Sequence, residues 1–448
     1  MPGGRRVKMR PERAGRGYRS EARQLPGKNG RVDAGRPLAA AFAGLTYLTH
    51  VKQETMTMTR PLEGLFVLDL SQLLPGGLCT QILGDLGARV VKVEPPGSGD
   101  GFRLAPPLVN GMGSYFAILN GNKEGMTLNL KTPRGREILW KLARRADILV
   151  ESANPGVMAS LGLDYEEVKK TNERIVYCSL TGFGQEGPYR NRPAHDLDFL
   201  ALSGVLDLIG TDGGPPAMPA VQVAGTGAGL TAALGILAAL RGREKTGRGQ
   251  WLDMAVLDSL TPFLGLVMSQ FMAGLPGIER GKTLVGGGYA FYNVYETRDG
   301  KYIALGCLEE KFWQGFCRAV GREDLAREHM VPSPRREEII AEVRALMKER
   351  TRDAWINLFE NYRICFSPIH TLEEALEDPQ VRFRNLWSRL ENPGGEPFPQ
   401  QAPLVRLSGE GPNTRSAPPR LGEHTEKILA ELDYGEGEIA RFYREGIV

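Results

Sequence analysis

Histidine is scarce in this 448-residue chain, five in all, so each deserves weighing as an acid or base. His195 stands in RPAHDLDF, a polar loop entering an apolar segment, beside Asp196 and Asp198. An imidazole there can exchange a proton near neutrality. The same spacing also suits Asp196 or Asp198 as a helix cap with His195 packed beside it. A second set of candidates lies in loops: Gln72 with Pro75-Gly76-Gly77, Gly97-Ser98-Gly99 with Arg103, Lys131, Asn154-Pro155-Gly156 and Gly182-Phe183-Gly184. Glycine lets a backbone close on a ligand, and lysine or arginine meets phosphate. No GxGxxG follows the first apolar run and no GxxxxGK[ST] occurs, which disfavours an ordinary dinucleotide or P-loop site. Neither HxxxH nor HExxH occurs, so no metal site is expected.

These residues need a scaffold, and the sequence reads as one. LFVLDL (65–70) is a short apolar run of buried-strand type, followed by a Pro-Gly-Gly turn and a helix through CTQILGDLGA. ARVVKVE (88–94) is a second strand, which makes a βαβ unit and hence a parallel sheet. GMTLNL (125–130), ADILVES (146–152) and RIVYCSLTG (174–182) repeat the theme. Thr132-Pro133 opens a helix to Arg145, and another helix is expected over 165–171. This alternation predicts a doubly wound α/β domain that binds its ligand at the carboxyl ends of its strands. A long apolar helix is expected from Gly227 to about Leu240, and WLDMAVLDSL begins a further strand or helix. GGGYAFYNVYETRDGKYIALGC carries two alternating runs around Arg298-Asp299-Gly300, a hairpin signal of a smaller antiparallel α+β domain. The expected division is a leader at 1–59, a large domain at 60–260, a small domain at 261–384 and a return to the large domain at 385–448.

Composition narrows the classes. The chain is 42% hydrophobic and 24% charged, as a globular enzyme is. Residues 1–59 hold 12 Lys and Arg against 4 Asp and Glu, and the remainder holds 44 against 49. The basicity therefore belongs to the leader, and a nucleic-acid partner is not expected. The leader, rich in Gly, Pro and Arg, reads as disordered, and an over-extended start ahead of Met56 or Met58 explains it better than a transit peptide. No apolar run of about 18 residues occurs, so no membrane partner is expected. Five cysteines without a CxxC pair suit reduced thiols in a cytoplasmic protein.

PLEGLFVLDLSQLLPGGLCTQILGDLGARVVKVEPPGSGD, then LNLKTPRG, ADILVES, NPGV, GLDYEEV, RIVYCSLTGFGQEGP, GILAALRGREKTGRGQ and LGEHTEKILAEL, resemble in order the family III CoA-transferase (CaiB/BaiF) superfamily. The motifs span residues 60–448, and HDLDFLALSGVLDLIG and GCLEEKFW look closest to its α-methylacyl-CoA racemase-like branch. The resemblance implies a Rossmann-like large domain plus a smaller domain, with two subunits interlocked. It implies a CoA thioester as substrate, with no permanently bound cofactor and with a free carboxylic acid as possible second substrate. Its CoA-contact positions fall on Leu74, Leu128, Asn129, Leu130, Lys131, Ser152, Ala153 and Asn154, and Arg103 joins them as a loop cation.

Two chemistries are implied. Transferases use an aspartate nucleophile under a glycine-rich lid, for which Gly286 to Gly288 is available. Racemases move an α-proton with a histidine backed by a glutamate and facing an aspartate, which points to His195 and Glu309. Both put their aspartate ten residues before the glycine of GILAAL, and there this chain has Gly225. The racemase arginine before Pro-Gly is Asn154 here. Three readings follow: altered chemistry with Asp196 or Glu309 as the carboxylate, a non-catalytic subunit paired with a catalytic paralogue, or a CoA-binding protein without turnover. A homodimer or such a heteromer is the expected assembly.

Overall fold

The computed structural model describes residues 60–392, 395–408 and 415–448; the expected leader lies outside them. Strand β1 (Phe66–Leu70) buries Val67 against one layer and Leu68 against the other. Burial on both faces is why the run is apolar throughout rather than alternating. Helix α1 (Leu73–Asp85) follows, then β2 (Arg89–Glu94), α2 (Ser114–Leu119) and β3 (Lys123–Thr127). Next come α3 (Pro133–Arg145), β4 (Ile148–Glu151) and β5 (Val176–Thr181). Then α4 (Asp196–Ser203) and α5 (Val223–Thr246) lead into β6 (Trp251–Ala255). The six strands are parallel in the order β3-β2-β1-β4-β5-β6. This is the doubly wound order of nucleotide-binding folds, with its direction reversing between β1 and β4.

The expected Pro-Gly-Gly turn is not a turn. Pro75, Gly76 and Gly77 lie inside the start of α1, and the glycines serve packing: a Cβ on Gly76 would stand 2.2 Å from the Ser71 side chain. On the other side of this contact, a Cβ on Gly229 of α5 would stand 2.8 Å from the Pro75 carbonyl, so glycine lets α5 close on α1. Helix α5 is long and apolar enough to cross a membrane. Here Ala232, Ala233, Ile236, Ala239 and Leu240 bury one of its faces among α1 and the strands.

After β6 comes α6 (Thr261–Met272), which has no buried residue and exposes Phe263, Leu266, Phe271 and Met272. Strands β7 (Tyr292–Glu296) and β8 (Tyr302–Gly306) form the expected antiparallel hairpin, turning at Gly300 with φ 72°. With β9 (Phe366–Pro368) and helices α7 (Glu310–Ala319), α8 (Arg335–Met347) and α9 (Arg352–Phe359), they enclose an aromatic core. Phe291, Trp313, Phe316, Trp355 and Phe359 fill it. A two-stranded ribbon, β10 (Trp387–Leu390) and β11 (Phe398–Gln401), precedes α10 (Thr425–Ala430) and α11 (Glu436–Arg444). Ile428, Leu429 and Phe442 from these last helices pack into the same core as Leu68 and α3.

Candidate active site at the reversal of the sheet

The loops leaving β1 and β4 are tied together at their start. The Gln72 N–H donates to Ser152 Oγ at 2.9 Å. Leu73 then takes φ +61°, a left-handed conformation uncommon outside glycine, and its N–H donates to Asp100 Oδ2 at 3.1 Å. Charges beneath hold this geometry. Buried Asp69 accepts from the Ser71 N–H (2.9 Å), from Thr80 Oγ1 (2.7 Å) and from Lys123 Nζ (3.2 Å). Lys92 Nζ donates to the Ser71 carbonyl at 2.8 Å and pairs with Asp100 at 3.0 Å. Burial alone would raise the Asp69 pKa, but Lys92 and Lys123 outweigh it and the carboxyl stays below its usual range. Burial pushes the Lys123 ammonium down to about 8, with Asp69 opposing.

Above this floor opens a crevice of about 340 Å³. Gln72, Leu73, Ser152, Ala153 and Asn154 border one side, and His195, Asp196 and Gly225 border the other. The Asp196 carboxylate accepts from the Gly225 N–H at 2.8 Å and from the Val223 N–H at 3.2 Å. It therefore caps α5 from the start of α4 and meets the positive end of that helix dipole. His195 is exposed, and its own N–H donates to Asp198 Oδ2 at 2.9 Å. Its imidazole forms no hydrogen bond or ion pair among the described residues, so it remains available to a ligand. Gly225 is buried in the first turn of α5, which carries no acidic residue. A Cβ there would stand 3.2 Å from Leu74 Cδ2 and 3.6 Å from Asp196 Oδ1.

Other expected residues lie elsewhere. Leu128 to Lys131 follow β3 at the same carboxyl edge of the sheet but do not line this crevice. Leu128 is buried, Asn129 donates through its N–H to the Ile447 carbonyl at 2.7 Å, and Leu130 packs against the core. Lys131 is exposed and forms no ion pair among the described residues. Leu74 borders a neighbouring apolar cavity. Glu309 stands at the start of α7 without a side-chain cap bond, exposed and not lining the crevice. Arg103, expected to meet phosphate, is corrected by the structure. It is buried, donates to both Glu94 oxygens (2.7 and 2.6 Å) and to the Pro419 carbonyl, and stacks on Phe116. Its donors are committed to holding the fold.

Sequence reasoning passed over Arg190 and Arg192. Both border the crevice, both are exposed, and neither has an ionic partner among the described residues. The signal was available: YRNRP stands just before His195-Asp196, in the loop after the carboxyl end of β5.

Comparison with known proteins agrees with the topology. Residues 62–425 match the model of CoA-transferase family III. The chain is 33% identical over 420 residues to succinyl-CoA:glutarate CoA-transferase of Mus musculus, covering 92% of this chain and 96% of that protein. It is 33% identical over 389 residues to α-methylacyl-CoA racemase of Homo sapiens, covering 86% and 97%. A crystal structure of a CAIB/BAIF family protein from Brucella suis superposes with a TM-score of 0.73 at 31% identity, over 84% of this chain and 100% of that one. With the sheet order, the crevice and these likenesses together, the chain belongs to CoA-transferase family III and is an acyl-CoA-handling enzyme of that superfamily.

Proposed function

We propose that the chain transfers CoA between carboxylic acids, with Asp196 supplying the carboxylate that α5 lacks. The observation that carries this reading is the position of Asp196 Oδ1, 3.6 Å from where a Cβ of residue 225 would begin. The family's acid is missing from the chain at that position, yet a carboxylate from the neighbouring helix faces the same space. A carboxylate oxygen of Asp196 attacks the acyl carbon of the thioester and CoA leaves as thiolate, which gives a mixed anhydride. The thiolate then attacks the Asp196 carbonyl and releases the first acid, leaving an enzyme thioester. The second acid's carboxylate attacks that thioester and displaces the thiolate, and the thiolate takes up the new acyl group, which restores Asp196. CoA is the substrate and no permanently bound group is required. Its phosphates are assigned to Arg190, Arg192 and Lys131, cations without an ionic partner among the described residues.

The assembly belongs to the same proposal. We read the chain as a large unit, 60–260 with 385–448, and a smaller one, 261–384, whose homodimer covers the apolar side chains of α6 and brings Glu309 toward a partner's His195. An unpartnered apolar helix is what such a contact would bury.

Hydroxylamine should capture the enzyme thioester as a hydroxamate on the peptide that carries Asp196. Asp196→Asn keeps an oxygen for the cap and should lower transfer by at least about 10³-fold. A hydroxamate on another carboxylate, or transfer undiminished in that variant, refutes the assignment. Activity that arises only with an added paralogous subunit would favour the non-catalytic-subunit reading instead. The free imidazole of His195 favours a second chemistry, exchange of the α-proton. It predicts deuterium uptake into a 2-methylacyl-CoA in heavy water, lost in His195→Ala.

A further inference from the structure

Beside the crevice lies a cavity of about 400 Å³. Leu78, Phe102, Tyr115, Ile118, Leu119 and Leu230 form most of its wall, and among the described residues none that lines it is charged. Gln222 borders both spaces. Gly225 borders the crevice alone, but a Cβ there would stand 3.2 Å from Leu74, which lines the cavity, and 3.6 Å from Asp196, which lines the crevice. The glycine that removes a carboxylate thus also removes the side chain that would stand in the passage.

We infer that the acyl chain of the substrate passes Gly225 into this cavity, and that the enzyme takes thioesters of apolar monocarboxylic acids of medium length. This rests on the CoA-thioester reading of the crevice. At roughly 30 Å³ per methylene-sized group, the cavity holds a chain on the order of ten carbons. A second carboxylate on the acyl group would lose its hydration against leucine and phenylalanine with no cation to meet it. Each methylene that enters gains binding, about fourfold for complete burial.

The test uses S-alkyl-CoA thioethers, which lack the carbonyl and cannot react, titrated into the intact protein by calorimetry. From S-ethyl to S-octyl the Kd is expected to fall about two- to fourfold per added methylene, then level off near ten carbons. An S-(carboxyalkyl)-CoA of equal length should bind at least tenfold more weakly than the alkyl analogue. Gly225→Val should raise the Kd of S-octyl-CoA at least tenfold more than it raises that of S-ethyl-CoA. Leu230→Lys, at a half-open position on the far wall, should weaken only the long chains. Affinity independent of chain length, or tighter for the carboxyalkyl analogue, overturns the inference while leaving CoA binding intact. Failure of every thioether and of CoA itself to bind overturns the crevice reading and this inference with it.

Discussion

The loops beneath the crevice and the region of the aromatic core bury their ion pairs to different depths. Around the sheet, Lys123–Asp69, Lys92–Asp100, Arg103–Glu94 and Arg415–Asp85 are ion pairs almost wholly removed from water. Around the aromatic core, Arg335 meets Glu328 and Glu342 (2.6 and 2.7 Å) with every partner about a third exposed, and even the buried Arg352 meets a Glu374 that stays 28% exposed. A buried ion pair is a poor way to gain stability, because both ions lose hydration. It is a good way to fix loop geometry, since the charges tolerate little displacement. The crevice stands on the buried pairs, whereas the aromatic core lies apart from its lining. The contrast teaches that precision was placed where a ligand must be held.

Asp69→Ala should break this comparison most severely, because it strands Lys123 without a carboxylate and leaves Lys92 with Asp100 alone. A loss of about 3–5 kcal/mol is expected, read as a fall of roughly 10 °C in Tm. The double change Asp69→Ala with Lys123→Met should recover much of it; a double variant as unstable as the single one contradicts the ion-pair account.

Glu151 sharpens the comparison on the same edge of the sheet. Burial raises its carboxyl above the usual range; hydrogen bonds from Ser179 and the Ala153 N–H oppose this, and Asp253 adds to it. The folded chain therefore holds this proton at pH values where the unfolded chain, titrating near 4.5, has released it. Stability from this group is full below that value and is lost as pH climbs through the raised one. Glu151→Gln should flatten that slope and raise Tm at pH 7 by about 2 °C; an unchanged slope in pH-dependent melting assigns it to other groups.

Arg335→Ala should be the mildest change, with Tm within about 1 °C of the parent and insensitive to added salt. A drop comparable to that of Asp69→Ala would erase the distinction between the two regions.

Much of the scaffold could be read in advance because buried parallel strands appear as unbroken apolar runs, as in LFVLDL and ADILVES, and because Thr132-Pro133 caps its helix locally, with Thr132 Oγ1 accepting from the Gly135 N–H. What escaped was long-range. Glu94 takes Arg103 out of play by a pairing that no local pattern announces. Asp196 reads locally as a cap of its own helix or as a catalytic group; that it caps a helix beginning 27 residues later no local pattern shows. Pro75-Gly76-Gly77 resembles a turn because the sequence does not reveal that the Ser71 side chain needs the space a Cβ on Gly76 would occupy. His195 and Gly225 were found by pattern, and their meeting on one crevice required the fold.

The packing of α10 and α11 against Leu68 and α3 has a consequence for biosynthesis. One face of the sheet is finished only by residues some 360 positions after β1. While the ribosome makes the intervening chain, that face has only α3 and its neighbours as native cover. Such distant contacts slow folding and leave sticky intermediates exposed, so production of this enzyme should respond to growth temperature and chaperone supply more strongly than its final stability would suggest.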